Sequence, residues 1–134
     1  SSRDRGRSPY QWSAALNADF TTGRPWIGVN PNYRKINLEE NLADPDSVFH
    51  YYRNLIALRK ATPALIYGEF LPVEVPEQLF VYQRVYAGQR LQIVLNLSDE
   101  TVEYACAGQR LIGNYPAADN QRLQPYEAGV FALA

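Results

Sequence analysis

Three regimes of hydrophobic spacing divide the chain. Up to Asn41 the apolar residues keep no regular interval, and Gly, Pro and Asn return every few positions: Gly6, Pro9, Gly23, Pro25, Gly28, then Asn30-Pro31-Asn32. Such punctuation halts helix and strand alike. A loop of this length within a compact domain is expected to be functional or to lean on another body. One local exception is Asn37, followed three places on by Glu40. That is capping-box spacing with Asn as the cap, and it predicts a helical turn from Leu38 to about Leu42.

The period then becomes helical. Val48, Tyr52, Leu55 and Ile56 fall at i, i+4, i+7 and i+8, and Phe49 and Leu58 widen the stripe. Asp44-Pro45-Asp46-Ser47 is a start signal in which either aspartate can cap, and Arg59 and Lys60 suit the negative end of the dipole. Pro63 forces Thr62 out of the helical region, so a helix from about Asp46 to Ala61 is predicted.

From Ala64 the period falls to two. Apolar runs at Leu65–Tyr67, Gly68–Leu71, Leu79–Tyr86, Leu91–Leu97, Val102–Tyr104 and Gly129–Leu133 read as short strands. Phe80, Tyr82, Arg84 and Tyr86 alternate with Leu79, Val81, Gln83 and Val85, and Ala87-Gly88-Gln89 reads as a hairpin. Strands at this spacing suggest an antiparallel sandwich.

The 134 residues include 46% hydrophobic positions, enough for a packed core, and the net charge of -1 with no long Lys/Arg run argues against a nucleic-acid partner. No apolar stretch approaches membrane-helix length, so no membrane partner is expected. A single cysteine, Cys106, excludes an internal disulfide and, with no signal-peptide pattern, suits a reducing, cytoplasmic setting. The absence of any methionine leads to the expectation that this chain either was trimmed or is a piece of something larger. Ten Tyr, five Phe and two Trp suit either a β-rich core or a sugar-binding cleft.

Candidate chemistry is sparse. His50 and Cys106 each stand alone, so no metal or cofactor is expected. Asp44, Asp46, Glu39 and Glu40 read as helix-start charges, Glu127 as a turn acid, and no carboxylate pair presents itself for glycosidase work. The densest set of directional donors is Arg3, Asp4 and Arg7 followed by Gln11 and Trp12. It reads either as an Arg–Asp clip fastening the loop or as a fork that grips hydroxyls.

The same residues carry a resemblance. Ser2-Arg3-Asp4-Arg5-Gly6-Arg7-Ser8-Pro9-Tyr10-Gln11-Trp12 resembles the Ser-Arg-Asp-Asn-x-Arg-Thr-Pro-Met-Gln-Trp signature of bacterial α-glucosidases in the α-amylase clan, glycoside hydrolase family thirteen. This branch includes oligo-1,6-glucosidase, dextran glucosidase, trehalose-6-phosphate hydrolase and sucrose isomerase. Asn17–Ile27, Val29–Tyr33 with Ile36-Asn37, the helix through Lys60, and Leu123–Phe131 are similar to further family motifs in register.

The resemblance implies a mixed fold: the loop and last helix of a (β/α)8 barrel over residues 1–62, then a mostly antiparallel β-sandwich C-terminal domain over 63–134. It implies a retaining enzyme acting on α-linked gluco-oligosaccharides, with the three catalytic carboxylates upstream, so that this chain holds no catalytic residue and is inactive alone. Arg7 is the implied substrate-binding residue, with Arg3, Asp4, Gln11 and Trp12 as its supporting loop. The partners implied are the sugar and the missing barrel, and a homodimer could cover the helix stripe that the barrel would otherwise meet. Three residues depart from the pattern: Arg5 stands for Asn, Tyr10 for Met and Asp19 for Gly, the last in a turn where positive φ is wanted. The alternative reading is a stand-alone carbohydrate-binding or purely structural sandwich module.

Overall fold

The computed structural model describes residues 4, 6–116 and 119–133. The chain divides into two compact units, Ser1–Asn54 and Leu55–Ala134.

The first unit is irregular, as its spacing predicts. Two 3-10 turns, Leu16–Asp19 and Pro31–Arg34, precede helix α1 at Leu38–Ala43. Asn37 caps α1: its Oδ1 accepts from the Glu40 amide at 2.9 Å. It also donates to the Tyr33 carbonyl at 2.8 Å and is itself buried. The cap half of the expected box is therefore present and anchors the preceding turn.

Helix α2 spans Val48–Ala61. Neither aspartate caps it. The Ser47 carbonyl accepts from the Tyr51 amide, and its hydroxyl donates to the Asn41 carbonyl at 2.6 Å, while Asp44 instead accepts from the Asp46 amide just upstream. No residue of α2 is buried, and Val48, Tyr52 and Ile56 of the expected stripe are exposed.

Leu65–Tyr67 is not a strand. Pro63–Tyr67 forms helix α3, with Pro63 at its first turn and Thr62 held extended (φ -121°, ψ 96°). A three-residue apolar run carries no period of its own, and the proline, pre-set for helix entry, decides it. The Gly68 amide closes α3 on the Ala64 carbonyl, in a contact so close that a Cβ at Gly68 would sit 2.2 Å from that oxygen.

Strands β1 (Glu69–Pro72), β2 (Leu79–Tyr86), β3 (Gln89–Asn96), β5 (Gln109–Gly113) and β7 (Ala128–Leu133) make an antiparallel sheet in the order β1-β2-β3-β7-β5. The two-residue strands β4 (Val102–Glu103) and β6 (Arg122–Leu123) pair separately. The β2–β3 hairpin turns on Ala87 and Gly88, both at positive φ (48° and 80°), the geometry of a type I′ turn.

The period-two alternation of β2 sorts two cores. On one face Leu79 and Val81 join Val94, Phe131 and Cys106, with Leu123 of β6 and Val102 of β4 packed among them. On the other, Leu91, Ile93 and Val130 meet Ala64 and Leu65 of α3. Among the described residues, no helix is long and apolar enough to cross a membrane.

Candidate functional site

The segment singled out by its donors opens with a turn in which the Arg7 amide donates to the Asp4 carbonyl at 3.1 Å. Arg3 lies outside the described residues, as does Arg5. Arg7 is exposed, and its guanidinium carbon stands 5.6 Å from the centre of the Trp26 ring, a cation–π distance. Trp26 is 87% exposed, so the pair forms an open platform. A flat aromatic face beside a donor fork can take a sugar's C–H face and its hydroxyls together.

Gln11 and Trp12 have different immediate partners. Their carbonyls accept from the Leu38 and Glu39 amides at 2.9 and 3.0 Å, which satisfies two of the orphan donors at the start of α1. The Gln11 side chain donates to the Ile36 carbonyl. The Trp12 ring meets Tyr10 edge-on at 4.6 Å. Tyr10, a departure from the family pattern, thus lies against the signature's tryptophan.

The Asp19 departure leaves the turn in place. Asn17, Ala18 and Asp19 all take left-handed backbone angles, with φ of 54°, 55° and 55°. Asn and Asp tolerate this region better than most side chains. The Asp19 carboxylate accepts from the Ser13 hydroxyl, the Asn17 amide group donates to the Gly23 carbonyl at 2.9 Å, and the buried Ala18 offers its carbonyl to the Trp12 amide at 3.0 Å.

Trp26 was not among the residues singled out for the site, although it stands in the Pro25-Trp26 motif. Its signal was an aromatic in a Gly/Pro-rich loop, where no core is expected to claim it. Elsewhere the candidate groups are structural. His50 Nε2 lies 3.1 Å from the Leu42 carbonyl. Glu127 is buried and accepts from the Gln124 amide at 2.7 Å, closing the turn before β7. Burial, with Glu127 nearby, pushes the Cys106 thiol up to about 11, which keeps it protonated and unreactive at neutral pH. Among the described residues no cluster of His, Cys, Asp or Glu could hold a metal ion.

The family of α-amylase catalytic domains matches residues 1–68. The oligo-1,6-glucosidase of Halalkalibacterium halodurans is 38% identical over 96% of this chain and 25% of its own length. The trehalose-6-phosphate hydrolase of Escherichia coli is 41% identical over 95% of this chain and 25% of its own. The crystal structure of a trehalulose synthase from Pseudomonas mesoacidophila superposes with a TM-score of 0.90 at 36% identity, covering 97% of this chain and 26% of that one. The chain therefore spans about a quarter of the length of the relatives it matches. With the catalytic-domain pattern running through half of its residues and these relatives matching nearly all of them, the chain belongs to the α-amylase family of glycoside-processing enzymes.

Proposed function

We propose that this chain is the C-terminal quarter of a retaining, cytoplasmic α-glucosidase-type enzyme that acts on α-linked gluco-oligosaccharides. In this reading residues 1–62 are the last loop and helix of the catalytic barrel, and residues 63–134 are the C-terminal sandwich. The five-stranded sheet, with Leu123 of the β4–β6 ribbon in its core, supports the second part. The family match over residues 1–68 supports the first.

Retaining hydrolysis needs two carboxyl groups about 5–5.5 Å apart across the scissile bond, one as nucleophile and one as acid and then base. The portion of the enzyme outside this chain supplies them. This chain contributes grip: Arg7 donates to the hydroxyls of the terminal glucose, and the Trp26 face holds the guanidinium in place. The single observation that carries the role is the exposed guanidinium of Arg7 stacked on an exposed Trp26, in a signature segment whose backbone is otherwise committed to turns and to α1.

The test is Arg7→Ala in the full-length enzyme. Loss of a charged hydrogen-bond donor to a sugar costs on the order of 2–4 kcal/mol, or roughly 30- to 1000-fold in kcat/KM. A loop clip predicts instead a lower melting temperature with kcat/KM nearly intact, and that result would overturn the assignment. The 134-residue chain by itself should release no glucose from a p-nitrophenyl α-glucoside, and reproducible turnover would sink the reading.

A further inference from the structure

Asn17, Ala18 and Asp19 hold left-handed backbone angles in succession, and none of them is glycine. In this region the Cβ crowds the following carbonyl oxygen, so single residues adopt it far more readily than runs. Glycine escapes the clash, and Asp19 stands where the family pattern has glycine. The exchange adds strain to a turn already strained, and a side-chain contact offsets it. The Asp19 carboxylate accepts from the Ser13 hydroxyl. The same Ser13 oxygen accepts from the Ala15 amide at 3.1 Å, which leaves its proton for the carboxylate. A hydrogen bond to an ionised acceptor is roughly twice as strong as a neutral one.

This turn joins the two halves of the Arg7–Trp26 platform. On its upstream side the Trp12 and Ser13 amides both donate to the Ala18 carbonyl, at 3.0 and 3.4 Å, and Arg7 belongs to the segment that ends at Trp12. On its downstream side the Asn17 amide group donates to the Thr21 and Gly23 carbonyls at 3.3 and 2.9 Å. The Gly23 amide in turn donates to the Thr21 hydroxyl at 3.1 Å. Pro25, with its fixed φ, then leads into Trp26. The chain path from Arg7 to the ring 5.6 Å from its guanidinium therefore runs through residues 17–19, all within the first compact unit. Apolar packing along this path is thin, since Leu16 and Phe20 stand exposed on either side of the enclosed Ala18. Where packing is thin, directional bonds decide how readily a segment opens.

We propose that Asp19 is a positioning residue: through Ser13 it locks the turn at 17–19 and so fixes Trp26 against Arg7. The proposal rests on the reading of Arg7 as the grip on the terminal glucose, and it gives Asp19 no contact with the sugar. Glycine takes positive φ as readily as negative, so at position 19 it would permit the turn and equally permit its loss. Aspartate with its carboxylate tethered to Ser13 favours one arrangement. A platform already ordered spends less of its binding energy on ordering, and misplacing a substrate-holding group by about 1 Å can cost about a hundredfold in rate. The departure from the family pattern thus exchanges backbone freedom for a fixed loop beside the sugar.

Steady-state kinetics and hydrogen exchange of the full-length enzyme test this. Asp19→Gly removes the tether while relieving the backbone, so the melting temperature should stay within about two degrees. The Trp12 and Gly23 amides should nonetheless exchange about tenfold faster, and KM for a p-nitrophenyl α-glucoside should rise about three- to tenfold. Ser13→Ala should do the same, and the double variant should be no worse than either single one. Asp19→Asn tolerates the left-handed region and keeps an oxygen for the Ser13 hydroxyl, so it should recover most of the loss. Additive losses in the double variant overturn the pairing. A lower melting temperature with KM unchanged marks Asp19 as merely structural and overturns its role, because loss of folded enzyme lowers apparent kcat and leaves KM alone. Unchanged exchange with unchanged KM overturns it as well. The exchange is read without sugar, which separates the two readings. Faster exchange in Asp19→Gly beside a silent Arg7→Ala sinks the sugar grip and leaves the lock on the turn. A damaging Arg7→Ala beside an Asp19→Gly enzyme that keeps its KM and its slow exchange sinks the lock and leaves the grip.

Discussion

The two units of this chain are held together by different physics. At the centre of Ser1–Asn54 is an asparagine. Asn37 caps α1 with its side-chain oxygen, holds the Tyr33 carbonyl with its amide group, and offers its own carbonyl to both the backbone amide and the side chain of Asn41. Ala18 is the unit's only buried apolar side chain apart from Pro9 among the described residues, while Leu16, Phe20, Trp26, Val48 and Tyr52 stand exposed. Leu55–Ala134 is centred on Leu91, Val94, Val81 and Phe131, in two clusters on the two faces of one sheet. It also has a central asparagine: Asn96 bonds the Glu100 and Gln124 carbonyls at 2.7 and 2.9 Å, but it does so at the rim of an apolar core. Directional local bonds can shape a loop, yet each contributes only about 1 kcal/mol net. Apolar burial contributes about 1.5–3 kcal/mol for each fully buried large side chain. The second unit therefore carries the stability, and the first presents side chains.

The largest expected effect follows from that contrast. Leu91→Ala should cost about 2–5 kcal/mol by urea unfolding, since it empties a fully enclosed site, whereas Leu16→Ala should stay within about 0.5 kcal/mol. Comparable losses at the two positions would break the comparison. Asn37→Ala comes next, at about 0.5–2 kcal/mol of local stability through loss of the α1 cap. Hydrogen exchange should quicken across 38–43 and leave 80–95 unchanged. In the unmodified chain, amides across 7–37 should already exchange faster than those across 80–95.

The alkaline limit sharpens the picture of the second unit. Burial raises the Cys106 thiol from 9.0 to about 11, with Glu127 adding to the shift. Between those values the unfolded chain has lost its thiol proton and the folded chain keeps it, so stability is complete below pH 9 and declines as pH rises toward 11. Cys106→Ala should flatten the fall in urea midpoint across that window. A residual slope is expected from Tyr104, whose phenol burial also raises, against a lowering by its hydrogen bond from Gln92. The smallest effect is at the hairpin. Ala87 holds φ 48° without the freedom of glycine, so Ala87→Gly should raise the urea midpoint by the equivalent of about 0.4–1 kcal/mol.

Much of the fold was legible because its signals are local. Pro63 ended α2, the alternation from Leu79 to Tyr86 placed β2 and sorted its two faces, and Ala87-Gly88 marked the hairpin. The readings that failed lacked a local signal. Leu65–Tyr67 is too short for a period to separate strand from helix. Ser47 displaced two aspartates as the partner of the first α2 amides by also reaching the Asn41 carbonyl. Strands β5 and β6 were missed: β5 pairs with β7 through a register shift at Arg110/Ile112, and β6 is two residues long, so neither shows an unbroken alternation.

The candidate site divides in the same way. Arg7 stood out by its residue type and its place in a signature, and that much belongs to the sequence. Its position over Trp26 does not, because the two are joined by a loop whose path is set by a run of left-handed residues and by the carbonyls that Gln11 and Trp12 give to α1. The sequence by itself determined the periods, the breakers and the inventory of donors, since each depends on a residue and its near neighbours. Only the tertiary structure decided that Glu127 is buried, that Cys106 lies near it, and that Arg84 is left with an unmatched Nε. Burial and pairing depend on strands distant in sequence meeting in one register, and no local window of residues contains that information.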